Sequence, residues 1–407
     1  MTENSSPSPL AGSKFTVTVL LVDDQAIVGA DVRIKLSGEP DIIYHHCSDP
    51  TKAVQMAADL SPTVILQDLV MPEIDGLTLL KFYRAHPRLK DVPVVMLSTK
   101  EDPATKAESF AAGAHDYIVK MPDKVELIAR IRYQSGGYIR LLERNEAYAE
   151  LEKRNKEQAA ELEQAAAYVV SLLPAPIEGE VAPGAAIKLS ANWKYVPSTQ
   201  LGGDTFGYRA LDEHMAMYLL DVCSHGVGPA LLSVQALNLL NTGNLPGVDC
   251  RRPDQVLTKL NEIFQMDKHD CLFFTIWYGV LNRRTKKLAY ASGGHPPALL
   301  YGREKVEEIS TPGLAIGCMP ETKYKVGEVE VPVPGKMFVF SDGVYEVHRP
   351  DGSMWSAGEL AEYLAAPENA GPDVIEKLYA MLREMHGEKS GLEDDFSMFR
   401  VEFNIAN

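Results

Sequence analysis

FTVTVLLVDD, from Phe15 to Asp24, is an apolar run that ends in two acidic residues. Four similar runs follow before residue 134, separated by segments with helical patterning: DIIYHHC (41–47), TVILQDLV (63–70), PVVMLSTK (93–100) and HDYIVK (115–120). Strands that alternate with helices and are apolar on both faces are typical of a parallel sheet covered on both sides. Residues 15–134 are therefore predicted to form a doubly wound α/β domain with a five-stranded parallel sheet.

Polar side chains follow these runs, where a parallel sheet places its functional residues. Asp23 and Asp24 follow the first run, and Asp68 lies within the third. Three carboxylates at one sheet edge repel one another unless a divalent cation lies among them, and such oxygen ligands suit Mg²⁺. Ser98 and Lys120 complete a pocket for a phosphoryl group. Each motif alone is equally explained by turn-forming Asp at a strand end, but five matches in chain order favour the site.

The segment from 17 to 132 resembles the receiver domain of bacterial response regulators. The resemblance implies that Asp68 accepts a phosphoryl group from a histidine kinase or phosphotransfer protein. It assigns the other roles as follows: Mg²⁺ ligands Asp23, Asp24 and Asp68, switch residues Ser98 and Tyr117, and the invariant lysine Lys120. The family commonly has Pro directly after that lysine, whereas Met121 stands here, so the geometry of this loop is left open.

A charge-rich segment without Gly or Pro runs from 139 to 173. A heptad pattern runs through it, with position a at Leu141, Tyr148, Asn155, Leu162 and Val169, and position d at Leu151, Ala165 and Leu172. Polar residues interrupt the seam, so a weak and switchable coiled coil is predicted for a helical linker over 135–173. A single solvated helix is the alternative.

Pro174 and Pro176 end that helix, and longer strand patterns follow to the C-terminus. They include IKLSANWKYV (187–196), HMAMYLLDV (214–222), LFFTIWYGVLN (272–282), KMFVFSD (336–342) and FSMFRVEF (396–403). Short turns join most of them, and two helix patterns lie between them at 229–242 and 251–267. Residues 174–407 are therefore predicted to be an α+β domain, an antiparallel β-sandwich flanked by helices.

Acidic residues fall at strand ends in four separate places of this domain. They are Asp204 in LGGD, Asp221 in LLDVCSHG, Asp342 in FSDGVYE, and Asp394 beside Asp395 in EDDFSMF. Carboxylates gathered at one edge of a sandwich need cations, and two divalent ions that share one carboxylate would satisfy them and could activate water for attack on phosphate. Taken singly, each acid is as well explained as a turn or solvent residue.

From 172 to 403 the chain resembles PPM-type phosphatases of the SpoIIE and RsbU class. The signatures that carry the resemblance are SLLP, YVPS-x-x-LGGD, LLDVCSHGVGPALLS, YASGGHPPALL, TPGLAIG, FSDGVYE and DDFSMFRVE. The resemblance implies two Mn²⁺ or Mg²⁺ ions at a catalytic site that hydrolyses phosphoserine or phosphothreonine without a covalent enzyme intermediate. Its ligands would be Asp221 bridging both ions, Asp204 and the backbone carbonyl of Val222 on the second ion, and Asp342 and Asp394 on the first.

Some positions of this second resemblance stay open. Either Asp394 or Asp395 could be the ligand of the first ion, although the DDxS pattern favours the earlier residue. Many relatives have an aromatic pair and a second Asp after GGD, whereas TFG follows here, which is expected to change the surroundings of the site without removing a ligand. His225 is either a proton donor or a capping or packing residue. The phosphate-binding arginine of eukaryotic relatives has no counterpart, and Arg209 is merely nearby.

Together the segments predict a response regulator whose phosphorylation at Asp68 controls a metal-dependent protein phosphatase, through a helical linker that forms a homodimer. The resemblance implies a phosphorylated STAS-type anti-sigma-factor antagonist as the substrate. A catalytically silent regulator that sequesters its partner is the alternative. A nucleotide-cyclase output is disfavoured because no GGDEF or GGEEF follows, and a DNA-binding output because no basic helix is present.

Composition agrees with a protein of the cytoplasm. The chain of 407 residues has a formal charge of −16, which argues against nucleic acid or an anionic membrane as the main partner. Its five cysteines contain no CxxC pair, so neither a disulfide framework nor a zinc site is indicated. Residues 1–14 are polar and predicted to be a disordered tail, and no stretch reaches the roughly 20 apolar residues of a membrane span.

Overall fold

The structure, a computed structural model, describes residues 13–99, 102–180, 185–303, 305–387 and 392–406. Most of the predicted N-terminal tail lies outside these residues. The chain divides into two compact units, residues 1–156 and 157–407. Each unit is described by itself.

The first unit contains a five-stranded sheet in the order β2-β1-β3-β4-β5, and every strand pair in it is parallel. Its elements are β1 (Val17–Val22), α1 (Ala26–Leu36), β2 (Ile42–Cys47), α2 (Ala53–Leu60), β3 (Val64–Asp68), α3 (Gly76–Ala85), β4 (Val94–Ser98), α4 (Pro103–Ala111), β5 (Asp116–Val119) and the start of α5 (Lys124–Ser171). The doubly wound α/β prediction is confirmed.

Alternate side chains of one strand enter two different cores, which explains why the first run is apolar throughout. Leu20 and Val22 of β1 belong to a buried cluster on one face of the sheet. Val19 and Leu21 belong to the cluster on the other face, together with Leu127 of α5. Both faces of a parallel sheet are covered, so the strand needs apolar residues at every position.

The long helix α5 starts earlier than the sequence predicted. It runs from Lys124 to Ser171, through Gly136 and Gly137, so the last helix of the first unit and the predicted linker are one element. Its early part is buried, whereas Tyr148 and Leu151 of the predicted seam are exposed and Leu162 and Val169 are partly buried. The helix is therefore confirmed, while its pairing remains a prediction.

The second unit contains two antiparallel sheets, in the orders β14-β11-β10-β9-β8 and β13-β12-β15-β16-β7-β6. Its strands are β6 (Ile177–Glu180), β7 (Ile187–Val196), β8 (Thr205–Leu211), β9 (His214–Val222), β10 (Phe274–Asn282), β11 (Lys287–Gly293), β12 (Ala298–Tyr301), β13 (Val306–Ile309), β14 (Gly327–Glu330), β15 (Gly335–Phe340) and β16 (Phe396–Ile405). Its helices are α6 (Val227–Thr242), α7 (Pro253–Ile263), α8 (Ala357–Ala365) and α9 (Val374–His386).

The core of this unit has three apolar layers. Side chains of both sheets meet in a central cluster that includes Phe206, Trp277 and Phe399. Helices α6 and α7 cover the first sheet with residues such as Leu237 and Leu257, and α8 and α9 cover the second with a cluster of their own. The predicted sandwich flanked by helices is confirmed. Among the described residues, no helix is both long and apolar enough to cross a bilayer.

Candidate functional site

Three carboxylates of the first unit converge at the carboxyl ends of its strands, as predicted. Ligand atoms of Asp23, Asp24 and Asp68 all lie within 4.8 Å of one another. Lys120, at the end of β5, places its Nζ 3.0 Å from Asp23 Oδ2 and 2.8 Å from Asp68 Oδ2. Asp24 Oδ1 is buried without a hydrogen-bond partner among the described residues. One ammonium group cannot neutralise three carboxylates, so the cluster keeps an excess of negative charge that a further cation would balance.

Burial dominates the electrostatics of Asp68. Its pKa is raised mainly by loss of solvent, and the contact with Lys120 opposes that shift while Asp23 adds to it. The start of α3 packs closely against the backbone of this residue, because a Cβ on Gly76 would lie 2.0 Å from the carbonyl oxygen of Asp68. This requirement for glycine after Asp75 was missed by the sequence reasoning, although the DG dipeptide signals it.

The remaining predicted residues of this unit lie near the same edge. Ser98 ends β4 and is buried, and Tyr117 on β5 is buried in the core with the Lys106 ammonium 5.9 Å from its ring centre. Met121 stands where relatives have proline, and it adopts a left-handed backbone with φ 57° and an exposed side chain. The switch roles of Ser98 and Tyr117 remain predictions.

Three of the predicted acids of the second unit line one pocket of about 330 Å³. Asp221 comes from the end of β9, Asp342 from the turn after β15, and Asp394 from the segment before β16. The other lining residues are Val222, Cys223, Ser224, His225, Phe273, Thr275 and Glu393. Strand ends and turns that are far apart in sequence therefore meet at one edge of the sandwich.

Like charges and burial raise the pKa values of these acids. The pKa of Asp221 rises to about 7, mainly through burial and then through the charges of Asp342 and Asp394. Burial and the charge of Asp394 raise the pKa of Asp342 to about 6. The pKa of Asp394 is also raised by burial. Carboxylates held together in this way favour the binding of cations.

Asp204 lies next to these acids without lining the pocket itself. It is buried, and burial together with the charge of Asp221 raises its pKa well above the usual value. Its Oδ2 atom has no hydrogen-bond partner among the described residues. A buried carboxylate oxygen without a donor is costly, and a metal ion would satisfy it.

Asp394 and Asp395 have different environments, which bears on the choice between them. Asp395 is buried, and its Oδ1 accepts hydrogen bonds from the backbone and hydroxyl groups of Ser198 at 2.8 and 3.0 Å. Its Oδ2 accepts from the backbone N–H of Asp204 at 3.3 Å. Asp395 therefore fixes the segment that carries Asp204, whereas Asp394 lines the pocket and its Oδ1 accepts only from the backbone N–H of Asp395, at 2.7 Å, among the described residues.

The two glycines before Asp204 permit close approach of this segment. A Cβ on Gly202 would lie 2.1 Å from Asp395 Oδ2, and one on Gly203 would lie 2.7 Å from the carbonyl oxygen of Val222. Both distances are too short for any side chain. The glycines thus bring Asp204 beside Asp395 and beside the Val222 carbonyl that was predicted as a ligand.

His225 and Arg209 lie in different surroundings. His225 is exposed and lines the pocket, where its charge lowers the pKa of Asp394, and α6 has no side-chain cap. These facts favour the proton-donor alternative over capping or packing. Arg209 on β8 extends toward the end of α6, since a Cβ on Gly243 would overlap its guanidinium group. It is not among the residues that line the pocket.

The two acidic sites differ in compactness. Within the described residues, Asp23, Asp24 and Asp68 form the only group of three potential ligands whose atoms all lie within 4.8 Å. The acids of the second unit are spread around a wider pocket, as expected for two ions rather than one. The unpartnered oxygen of Asp204 and the raised pKa values both fit cation binding there.

We expect the protein without divalent ions to lose stability as the pH rises from 6 to 8. The pKa of Asp221 is about 7 in the folded protein, well above its value in an unfolded chain, so folding favours the protonated carboxyl and this advantage is lost as the pH rises through 7. Asp221 alone contributes a change on the order of 1 kcal/mol, which lowers the Tm by a few degrees. Thermal unfolding in EDTA measures the shift. The Asp221→Asn variant should show a smaller pH dependence, and an unchanged one would contradict the assignment.

Comparison with known proteins identifies both units. Residues 19–132 match the family described as response regulator receiver domain, and residues 211–404 match the family described as stage II sporulation protein E (SpoIIE). Phosphoserine phosphatase RsbP of Bacillus subtilis (strain 168) is 25% identical over 194 residues, which cover 46% of this chain and 46% of RsbP. Phosphoserine phosphatase RsbU of the same strain is 24% identical over 206 residues, which cover 50% of this chain and 60% of RsbU.

Among solved structures, the SiaA-PP2C domain of Pseudomonas aeruginosa superimposes with a TM-score of 0.51 at 20% identity, covering 62% of this chain and 99% of that domain. This likeness shows the shared fold. The chain spans about half the length of the curated relatives RsbP and RsbU. The chain thus carries a response regulator receiver domain at residues 19–132, followed by a PPM-type phosphatase domain of the SpoIIE family at residues 211–404.

Proposed function

We propose that this protein is a metal-dependent protein serine/threonine phosphatase whose activity is controlled by phosphorylation of Asp68. The observation that carries the proposal is the convergence of Asp221, Asp342 and Asp394 on one pocket, with Asp204 buried beside them. The alternative is a catalytically silent regulator that binds and sequesters its partner. Retention of all four acids, each with a raised pKa, favours the enzyme.

The donor set suits two Mn²⁺ or Mg²⁺ ions, which would neutralise the phosphate and activate water when bound. Asp221 would bridge them. Asp204 and the Val222 carbonyl would hold the second ion, and Asp342 and Asp394 the first. At the receiver, Asp23, Asp24 and Asp68 would hold one Mg²⁺.

Residues in and next to the pocket would position these groups and move protons. Gly203 keeps the carbonyl of Val222 accessible to the segment of Asp204. Asp395 holds that segment through its bonds to Ser198 and to the Asp204 backbone. In this proposal His225, which lines the pocket and acts electrostatically on Asp394, would donate a proton to the departing serine or threonine oxygen.

The substrate in this proposal is a phosphorylated STAS-type anti-sigma-factor antagonist. Its support is the similarity of the catalytic domain to RsbP and RsbU, both named phosphoserine phosphatases. The partner of the receiver is a histidine kinase or phosphotransfer protein. The five unpaired cysteines agree with a cytoplasmic location, where thiols remain reduced.

Release of phosphate from a phosphoserine protein tests the enzymatic function. With Mn²⁺ we expect continuous release, because the clustered acids bind the cation, and EDTA should abolish it. Absence of release with Mn²⁺ or Mg²⁺, in the presence and in the absence of an acyl-phosphate donor, would favour the silent regulator.

The linker part of α5 is proposed to pair with the same helix of a second copy. Leu162 and Val169 are partly buried at heptad spacing, and Tyr148 and Leu151 are exposed on the predicted seam. Leu162→Glu should shift the full chain from dimer toward monomer in sedimentation equilibrium, because a charge at position a is poorly tolerated. Glu163→Gln, at the exposed position b outside the predicted seam, is the control. A wild-type chain that is monomeric at all concentrations would contradict the pairing.

A further inference from the structure

Among the described residues, the phosphatase pocket offers no lysine or arginine side chain to a phosphate group. None of the described residues that line it is lysine or arginine, and Arg209 extends toward the end of α6 instead. Metal ions there would attract the phosphate of any phosphoester, so they would not distinguish a protein substrate from a small one. Selection of a protein substrate therefore requires contacts outside the pocket.

An exposed apolar patch begins at the rim of this pocket. We define the rim patch as Val227 and Leu231 on α6 with Leu272 and Phe273 before β10. Val227 is 51% exposed and Leu231 is 65% exposed, and Phe273 itself lines the pocket. Soluble proteins rarely expose neighbouring large apolar side chains without a use for them.

The two parts of the rim patch are contiguous. A Cβ built on Gly228 of α6 would lie 3.8 Å from Leu272 Cδ1, so Leu272 borders the first turn of the helix. Val227 follows the pocket residue His225 by two positions. The patch thus continues from the pocket along α6.

Apolar exposure on α6 is confined to the end near the pocket. Further along the helix, the exposed positions include Gln235 and Asn238. Leu232 and Leu237 point into the core, which shows that the helix has a separate apolar face for folding. The exposed residues Val227 and Leu231 are therefore additional to those that the fold requires, whereas Leu272 is partly buried and also packs against the core.

We propose that the rim patch docks the substrate protein through apolar side chains that flank its phosphoserine. This inference rests on the proposed phosphatase function and names the recognition element of the same site. The helical rise places Leu231 about 6 Å beyond Val227, a distance that about two residues of an extended substrate segment would span. Burial of one leucine in such an interface changes affinity by about tenfold.

Two synthetic phosphopeptides test the docking. In one, the phosphoserine is flanked on both sides by Leu and Val, and in the other by Ser and Gly. We expect the full chain with Mn²⁺ to prefer the apolar peptide by about tenfold in kcat/KM, mostly through KM. In Leu231→Ser, the kcat/KM ratio of the apolar peptide to p-nitrophenyl phosphate should fall about tenfold. Gln235→Ala, on the same exposed side of α6, should leave this ratio unchanged.

The other outcomes separate the two proposals. Docking at the rim patch is wrong if p-nitrophenyl phosphate is hydrolysed but the wild type does not prefer the apolar phosphopeptide. It is also wrong if Leu231→Ser keeps the wild-type preference for that peptide. In both cases the enzymatic function stands. If neither peptide nor p-nitrophenyl phosphate is hydrolysed, both proposals fall. If Leu231→Ser instead dissociates a dimer and slows all three substrates alike, the patch contacts a second copy of this chain and the docking proposal is overturned.

Discussion

Replacement of Asp221 by asparagine should reduce phosphatase activity by about 1000-fold, measured as phosphate release from a phosphoserine protein with Mn²⁺. Asp221 lies between the other acids, and its pKa of about 7 reflects burial and the charges of Asp342 and Asp394. Asparagine keeps the size of the side chain and one oxygen, but it loses the charge that would bridge two ions. The loss should persist at high Mn²⁺, because an amide lacks the negative charge with which Asp221 would hold the two ions.

The same substitution should leave the fold intact, which separates catalysis from stability. Removal of one of several repelling carboxylates should raise the Tm of the protein in EDTA. The matched control is Asp249→Asn, an exposed acid of the same domain that is paired with Arg251 at 2.9 Å. Its activity should equal that of the wild type. Full activity of the Asp221→Asn variant would show that Asp221 is not a metal ligand.

The Asp395→Asn variant is expected to differ from Asp221→Asn in both stability and activity. Asp395 is engaged by Ser198 and by the backbone of Asp204 through both of its oxygens. An amide in its place would turn a donor toward one of these N–H groups. The expected result is therefore a lower Tm together with a partial loss of activity, whereas Asp221→Asn loses activity alone.

Sequence patterns predicted the elements whose signals are local. Alternate side chains of β1 are buried in two different cores, so its sequence is continuously apolar and the strand was easy to predict. The acids that follow the strands were predicted to lie together because the carboxyl ends of parallel strands meet at one edge of the sheet. The sandwich was predicted from strand spacing, although β8 was missed because Gly207 and Arg209 interrupt its apolar pattern. Strand β8 contains the second half of LGGDTFGY.

Features that depend on distant contacts could not be predicted. The helical linker was predicted to begin at residue 135, whereas α5 begins at Lys124 and continues through Gly136 and Gly137, two residues of low helix propensity. In the structure Ser135 hydrogen-bonds Thr63 at 3.0 Å, a contact across 72 positions that holds this part of the helix in the core. The different roles of Asp394 and Asp395 likewise follow from Ser198, which lies 197 positions before Asp395.

The substitution Asp68→Asn should abolish phosphorylation of the chain by acetyl phosphate and Mg²⁺, measured by intact-protein mass. In the proposed reaction of the wild type, a carboxylate oxygen of Asp68 would attack phosphorus, the bond to the acetate oxygen would break, and acetate would leave. Lys120 Nζ lies 2.8 Å from Asp68 Oδ2 and can stabilise the transferred charge. An amide oxygen is a far weaker nucleophile. Asp59→Asn, an exposed acid of α2 bonded to Gln55, is the control and should be phosphorylated normally.

Phosphatase activity of the same variant tests receiver control. Phosphorylation adds negative charge at a buried position where Lys120 is the neighbouring cation, so the edge of the receiver must rearrange or gain a metal ion. If this change reaches the catalytic domain, acetyl phosphate should alter the wild-type rate of phosphate release, in either direction, and should not alter that of Asp68→Asn. Because Lys120 keeps its contact with Asp23 at 3.0 Å, the variant should remain folded. A donor effect of equal size in both proteins would show that control does not pass through Asp68.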